Sequence, residues 1–306
     1  MAGGTTFTGG WQFVQMPKYY EEAATGYASV ITTATASGIF GAVSNIEVTV
    51  DPNTQEFRSV SNEDIYTQVV GKVGVRARMT FGIVNTSSVF LGYAVKKNAN
   101  AAGDISRAIH IVWSQRMSET GSTLITTFFA LRGAKPNRVS VTGRAGTPLS
   151  CDVDFICHSL TFTAVASAFQ STFAIDPTDA VWNYEDGGVS PVTIFGNAGF
   201  NVTEFDWSVD RGLKDIYVLG QSTVAMLGNS QRGITGSFTA VYESASSFLT
   251  DSLLTQTTGN ISWVMKTGSG TPVFSTVTLT NWSLPQDVAG ESYERIDFKA
   301  VSMSTF

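Results

Sequence analysis

Apolar and polar residues alternate along most of this chain. Ile46, Val48 and Val50 interleave with Glu47, Thr49 and Asp51, and Val73, Val75, Ala77, Met79 and Phe81 interleave with Arg76, Arg78 and Thr80. Phe205, Trp207 and Val209 interleave with Glu204, Asp206, Ser208 and Asp210, and Val277 and Leu279 with Thr276, Thr278 and Thr280. A period of two predicts strands with one buried and one polar face. Val, Ile, Thr and aromatic residues fill these runs, as a pleated surface prefers, and Gly, Asn, Asp and Pro separate them. The predicted class is mainly β. Two stretches break the period, 87–97 and 246–254. Each opens on a serine pair, and in the second Phe248, Leu249 and Leu253 fall on one side, so each predicts a short helix.

The order of these elements repeats. A strand ending at Asp51 is followed by a long polar loop, a strand over 72–81 and the helix at Ser87. A strand ending at Asp210 is followed by a similar loop, a strand over 232–242 and the helix at Ser246. The offset stays near 160 residues. A strand with a tryptophan follows each helix (Trp113, Trp263), and then a pair of strands. This order predicts two tandem copies of one β-rich domain, each with one short helix. The first spans 1–165 with an N-terminal arm, the second spans 198–306, and a linker over 166–197 carries the Pro and Gly clusters. The loops 53–70 and 212–231 are long for a compact fold. They hold Ile65, Tyr66, Val69, Ile216, Tyr217, Val218 and Leu227, which a solvated loop rarely needs, so both are expected to pack between subunits or rings.

Composition narrows the classes. Of 306 residues 43% are hydrophobic, but only 14% are charged, against ~25% in ordinary globular proteins. A surface so poor in charge suits contact with other protein. The net charge is −6 with 19 scattered basic residues, which argues against a basic nucleic-acid binder. No secretory leader and no apolar run of ~18 residues is present in the sequence, so no membrane role is expected. The four Asn-X-Ser/Thr sites read as chance in a chain so rich in Ser and Thr.

Candidate chemistry concentrates at 137–159, NRVSVTGRAGTPLSCDVDFICHS. Its Gly143–Gly146 stretch is followed by Pro148 and an alternating strand rather than by Gly-Lys-Ser/Thr and a helix, so it reads as a hairpin turn and not a phosphate loop. Cys151 and Cys157 lie six residues apart on one strand, about 20 Å at ~3.3 Å per residue, too far for a disulfide. With only His158 beside them they do not make a zinc site. They are expected to be buried free thiols. Asp152 and Asp154 share the opposite face without a histidine, nucleophile or metal motif to complete a catalytic pair. Neither His110 nor His158 falls in a ligand motif, and no hydrolase elbow or zinc-protease motif occurs. No catalytic, cofactor or metal residue is assigned. Arg76 and Arg78 share a polar strand face and could pair with a neighbour's acids or stand in solvent.

The segment GAKPNRVSVTGRAGTPLSCDVDFIC resembles a hairpin of the tail tube proteins of long-tailed phages and archaeal tailed viruses. FNVTEFDWSVDRGLKDIYVLGQ and QRGITGSFTAVYESASSFLTDSL resemble the C-terminal half of the same family, and EEAATGYAS resembles its opening weakly. Trp113, Trp263 and Trp282 match no pattern of the family. The resemblance implies a virion structural protein built of two tandem tail-tube β-sandwich domains, each flanked by a short α-helix, whose strands join an inner β-barrel. A duplicated chain would form trimeric rings with pseudo-sixfold symmetry, stacked into a tube that conducts viral DNA. The implied location is the virion tail, assembled in the host cytoplasm. The implied partners are other copies of the chain, a tape-measure protein, tail terminator and distal tail or baseplate proteins, and double-stranded DNA as a passenger. Glu47, Asp152, Asp154, Glu204, Asp206 and Asp297 would line the lumen, where like charge repels phosphates. The alternative is a two-domain binding module of a virion spike or carbohydrate-binding protein, with Trp182, Tyr184, Trp207 and Trp282 stacking on sugars.

Overall fold

A computed structural model describes residues 11–22, 34–58, 65–69, 71–95, 108–117, 125–163, 179–189, 191–219, 226–228, 231–242, 246–268, 270–284 and 292–304. The N-terminal half holds β1 (Trp11–Glu22), β2 (Ala34–Ile39), β3 (Ala42–Asp51), β4 (Gln55–Arg58), β5 (Ile65–Val69), β6 (Gly74–Gly82), α1 (Ser87–Val95), β7 (Ile109–Met117), β8 (Ile125–Arg144), β9 (Ser150–Cys157) and β10 (Ser159–Thr163). A 3-10 turn (Tyr184–Gly187) leads into the second half. There follow β11 (Val192–Ile194), β12 (Asn197–Ala198), β13 (Val202–Asp210), β14 (Lys214–Ile216), β15 (Met226–Gly228), β16 (Gly233–Val241), α2 (Ser246–Leu254), β17 (Thr258–Trp263), β18 (Val273–Ser283) and β19 (Tyr293–Met303). The protein is mainly β, and all strand pairs among the described residues are antiparallel.

One run of strands organises the molecule, in the order β3-β6-β9-β8-β13-β16-β19-β18. Four strands come from each half, and the β8–β13 pair joins them. The long β8 serves two layers. Its first part pairs with β7 and β10, and its last part with β9 and β13. β18 divides in the same way, pairing through its first residues with β17 and along its length with β19.

The halves repeat in register, not just in order. β3 slips by one residue between Val43 and Asn45 against β6, and β13 slips between Val202 and Glu204 against β16, an offset of 159 (45 to 204). α1 and α2 start at Ser87 and Ser246, at that same offset. β7 and β17 slip at 109–111 and 259–261, and β8 and β18 slip at 136–138 and 279–281. The shrinking offset places the length difference in the connections around β7 and β17. β-bulges re-aim a strand at a fixed point and have to match for two sheets to superpose. Both copies also leave the first strand by one turn. The Asp51 carboxylate accepts from the Asn53 N–H at 2.9 Å, the Asp210 carboxylate accepts from the Gly212 N–H at 2.8 Å, and Asn53 and Gly212 both have left-handed φ. Asp side chains favour this turn because they mimic a backbone acceptor.

One face of the run is apolar and continuous across both halves. Phe40, Phe81, Phe90 and Phe155 pack in the first half, and Phe205, Phe238, Phe274, Phe298 and Trp263 in the second, all fully buried. The helices cover this face through Phe90, Leu91 and Leu249. The connecting segment is packed from residue 182 onward. The backbone of Trp182 bonds to Ile83 and Leu149, its ring is buried, and Tyr184, Val192 and Ile194 are buried as well. Loops 53–70 and 212–231 contain hairpins, β4–β5 and β14–β15. Their short runs alternate too briefly for a periodic signal to stand out.

Candidate functional site: a charged sheet face and two open edges

The opposite face of the run carries polar side chains at every second position. Glu47, Arg78, Asp154, Arg138 and Asp210 form one register row across five strands, with charges alternating in sign. The matching row of the second half is Asp206, Ser237, Asp297 and Asn281. Asp297 is thus the counterpart of Asp154, at the offset of 143 (154 to 297) that the β8 and β18 bulges also show. All six acids expected on a lumen face lie on this face. Alternation also places Arg78, Arg138, Arg144, Arg295 and Lys299 there, which the acidic reading did not weigh.

Charges on this face are bonded locally. Arg78 pairs with Asp152 at 3.6 Å, and Thr80 donates to the same carboxylate. In the second half Arg295 pairs with Asp297 at 3.5 Å and donates to Ser237 Oγ at 3.1 Å, while Ser237 Oγ–H donates to Asp206. Partial burial raises the Asp206 carboxyl above its usual range, and the bond from Ser237 and the nearby Arg295 only partly offset this. The cation sits on β6 in one half and on β19 in the other, across the same strand pair.

The run ends in two open edges. Among the described residues β3 pairs only with β6, and residues 279–283 of β18 pair only with β19. In repeat terms these are the two edges that meet inside the chain as β13 and β8. The closed joint has a definite register, from Arg138 opposite Asp210 to Arg144 opposite Glu204. Its core-face side chains Val139, Val141, Phe205, Trp207 and Val209 are at most 1% exposed. Their counterparts at the open edges are Trp282, Leu284, Ile46, Val48 and Val50. The first four are half-buried, and Val50 is 47% exposed. The same positions are therefore apolar in both copies and covered in only one.

A match to the family model described as phage tail tube protein extends over residues 116–300. The chain belongs to the phage tail tube protein family. The match takes in β8, the closed joint and nearly all of the second repeat. Among solved structures, one chain of the "tail of empty GTA particle computed with helical refinement, C6 symmetry" is similar at 11% identity and a TM-score of 0.31, over 36% of this chain and 85% of that one. No curated protein matches.

The remaining predicted residues fall in three groups. Cys151 and Cys157 are free and fully buried, and burial pushes both thiols up, so neither is a reactive thiolate. Among the described residues no cluster of His, Cys, Asp or Glu could hold a metal, and no helix is long and apolar enough to cross a membrane. Trp182, Tyr184 and Trp207 are buried in the core, leaving only half-buried Trp282 of the four aromatics considered for stacking on sugars. Arg76 pairs with Asp215 of β14 at 3.5 Å, and the Tyr217 ring lies under Lys72 Nζ at 4.8 Å. Hairpin β14–β15 thus reaches back over the first repeat, anchored also by the Leu213 N–H on Asn137 Oδ1 at 2.7 Å. Ile216, Val218 and Leu219 remain exposed, Tyr217 is half-buried, and Leu227 lies on β15. Ile65, Tyr66 and Val69 lie on β5. Sequence reasoning missed Arg138, Asn281 and Leu284, and it named Val50 only as a strand position and Trp282 only as a stacking aromatic. The paired signals Asp51-Pro52-Asn53 and Asp210-Arg211-Gly212 could have fixed the offset and with it the matching edges.

Proposed function

We propose that copies of this chain close head to tail into a ring, β18 of one copy adding to β3 of the next, and that rings stack into the tail tube. The observation that carries this is the closed joint: the chain already contains, between β8 and β13, the contact its two free edges lack. A contact that joins one patch to a different patch propagates until it closes, and closure removes the exposed edges that otherwise aggregate. Two tandem tube domains, joined within 166–197, make three copies equivalent to the six single-domain copies that the family resemblance implies. The polar face then lines the lumen, and DNA passes along a wall of locally paired charge whose sign alternates across the first half. A wall of this kind offers phosphates no contiguous cationic track. The exposed Ile216 of β14, and the β4–β5 hairpin, are left for contacts between copies and between rings, and the tape-measure, terminator and distal tail proteins for the ends.

Negative-stain microscopy of the purified chain is the test. Rings of three copies, or tubes built of them, are expected. A chain that stays monomeric at every concentration defeats the reading. Replacing Asp152 and Asp154 with Lys is expected to permit assembly but slow DNA passage, and ejection at the normal rate in those variants would remove both residues from the lumen.

A further inference from the structure

Hairpin β14–β15 follows β13 and crosses the closed joint to the neighbouring repeat, where Asp215 meets Arg76 on β6. At the offset of 159, hairpin β4–β5 is its counterpart and Glu56 stands where Asp215 stands. Glu56 is exposed. If β3 joins the preceding copy as β13 joins β8, this hairpin crosses that copy's β18 and β19 toward β16. The position matching Arg76 is then Thr235, which carries no charge. Its register partner on β19 is Lys299, which is exposed and replaces the apolar Ile156 that faces Arg76. The cation has moved across one strand spacing, about 4.8 Å, toward the hairpin's own side. The same move relates the neighbouring site, where Arg78 on β6 bonds Asp152 on β9 and Ser237 on β16 bonds Arg295 on β19. Glu56 is also one methylene longer than Asp215.

We propose that the β4–β5 hairpin clasps the preceding copy within the ring, through an ion pair between Glu56 and that copy's Lys299. This rests on the ring reading above. It adds that the hairpin's acid acts across the joint inside one ring and not between rings. The pair is exposed, so its contribution is that of a surface ion pair. Its larger effect is to favour the register in which β3 and β18 meet, because a slip of one residue moves every side chain to the other face.

Paired cysteines and a short bismaleimide test it. Glu56→Cys with Lys299→Cys probes the clasp, and Asp51→Cys with Asn281→Cys probes the joint in a separate variant. Native Cys151 and Cys157 are fully buried, and the parent chain serves as the background control. Both variants are expected to cross-link between copies, with clasp products ending at the closed ring. Cross-linking of the joint variant alone overturns the clasp and leaves the ring reading standing. Failure of both defeats the two together. Clasp products that climb past the ring size place the hairpin on the next ring and overturn the proposal. In parallel, E56K and K299E should each raise the concentration needed for assembly roughly twofold to fivefold, and the double reversal should restore it. Unequal effects without restoration would also overturn the pair.

Discussion

The same two strand edges occur twice in this molecule, once joined and once free. At the β8–β13 joint the apolar row is sealed, and facing charges are complementary, Arg138 with Asp210 and Arg144 with Glu204. At the free edges the apolar row persists, but Asn281 takes the place of Arg138, and Pro52 takes the place of Arg211, whose N–H bonds the Asn137 carbonyl across the closed joint. The joint inside the chain thus has hydrogen-bond and charge partners that the free edges lack. A contact made inside a chain forms once, at folding. A contact between chains has to wait for a correct neighbour. In the ring proposed above, a weaker version at the open edge would limit premature association while leaving the hydrophobic row to drive closure.

Placing an acid at equivalent positions should separate the joints most sharply. Val209→Asp puts a carboxylate into a site only 1% exposed, and a loss of ~4 kcal/mol or more is expected in denaturant unfolding. Val50→Asp alters its counterpart at 47% exposure, so the monomer should lose under ~1 kcal/mol. Assembly into rings should nevertheless fail. A Val50→Asp chain that assembles normally, or unfolds as readily as Val209→Asp, would end the equivalence of the two edges.

Much of this comparison was legible beforehand. Alternation at 46–51, 73–81 and 205–210 gave the strands and their faces, because a period of two survives any tertiary context that keeps one face dry. The repeat was legible from element order and an offset near 160. The offset of 159 and the three matched bulges were not, since a bulge shifts pairing without changing composition. Pairing of β8 with β13 was hidden as well. Nothing in Arg138–Arg144 names its partner, which is set by which neighbouring edge remains after β9 has paired. The hairpins at 55–69 and 214–228 read as loops in the sequence because strands of three to five residues hold too few periods to stand out. The acids of the polar face are legible from alternation, and so are the arginines on the same strands, each taken strand by strand. Only the register rows bring them together.

Two experiments should sharpen the contrast by smaller amounts. Asn281→Arg gives the open edge the residue that its counterpart Arg138 supplies. The new guanidinium would stand beside Asp297, which Asn281 already bonds at 3.1 Å, and opposite Asp51 of the next copy. A cross-strand pair of opposite charge contributes about 0.2–1 kcal/mol, so the assembly threshold should fall by up to about fivefold, as measured by sedimentation. No change would mean that Asn281 does not face Asp51. At the closed joint, a double-mutant cycle of Arg76→Ala and Asp215→Ala should give a coupling of about 0.2–1 kcal/mol in unfolding. Both residues lie inside one chain, so this coupling should be independent of protein concentration. The Glu56 and Lys299 effects, by contrast, should appear only where rings form.

The smallest effect lies at Asp206, where the second repeat departs from the first. Its counterpart Glu47 faces Arg78, whereas Asp206 faces Ser237. Burial therefore outweighs the stabilisation available to the charge, and the folded pKa is raised. A carboxyl with a raised folded pKa favours the fold when protonated. That contribution is complete below the unfolded pKa and is lost as pH rises through the folded one. Asp206→Asn should accordingly stabilise the chain at pH 7, by on the order of 0.5 kcal/mol, with the gain shrinking as pH falls and absent below the unfolded pKa. Asn also keeps an oxygen to accept from Ser237. Unfolding midpoints of both chains across that range would decide it. A variant less stable at pH 7 would mean that Arg295 and Ser237 hold the charge more firmly than burial opposes it. The second wall row would then be as well compensated as the first.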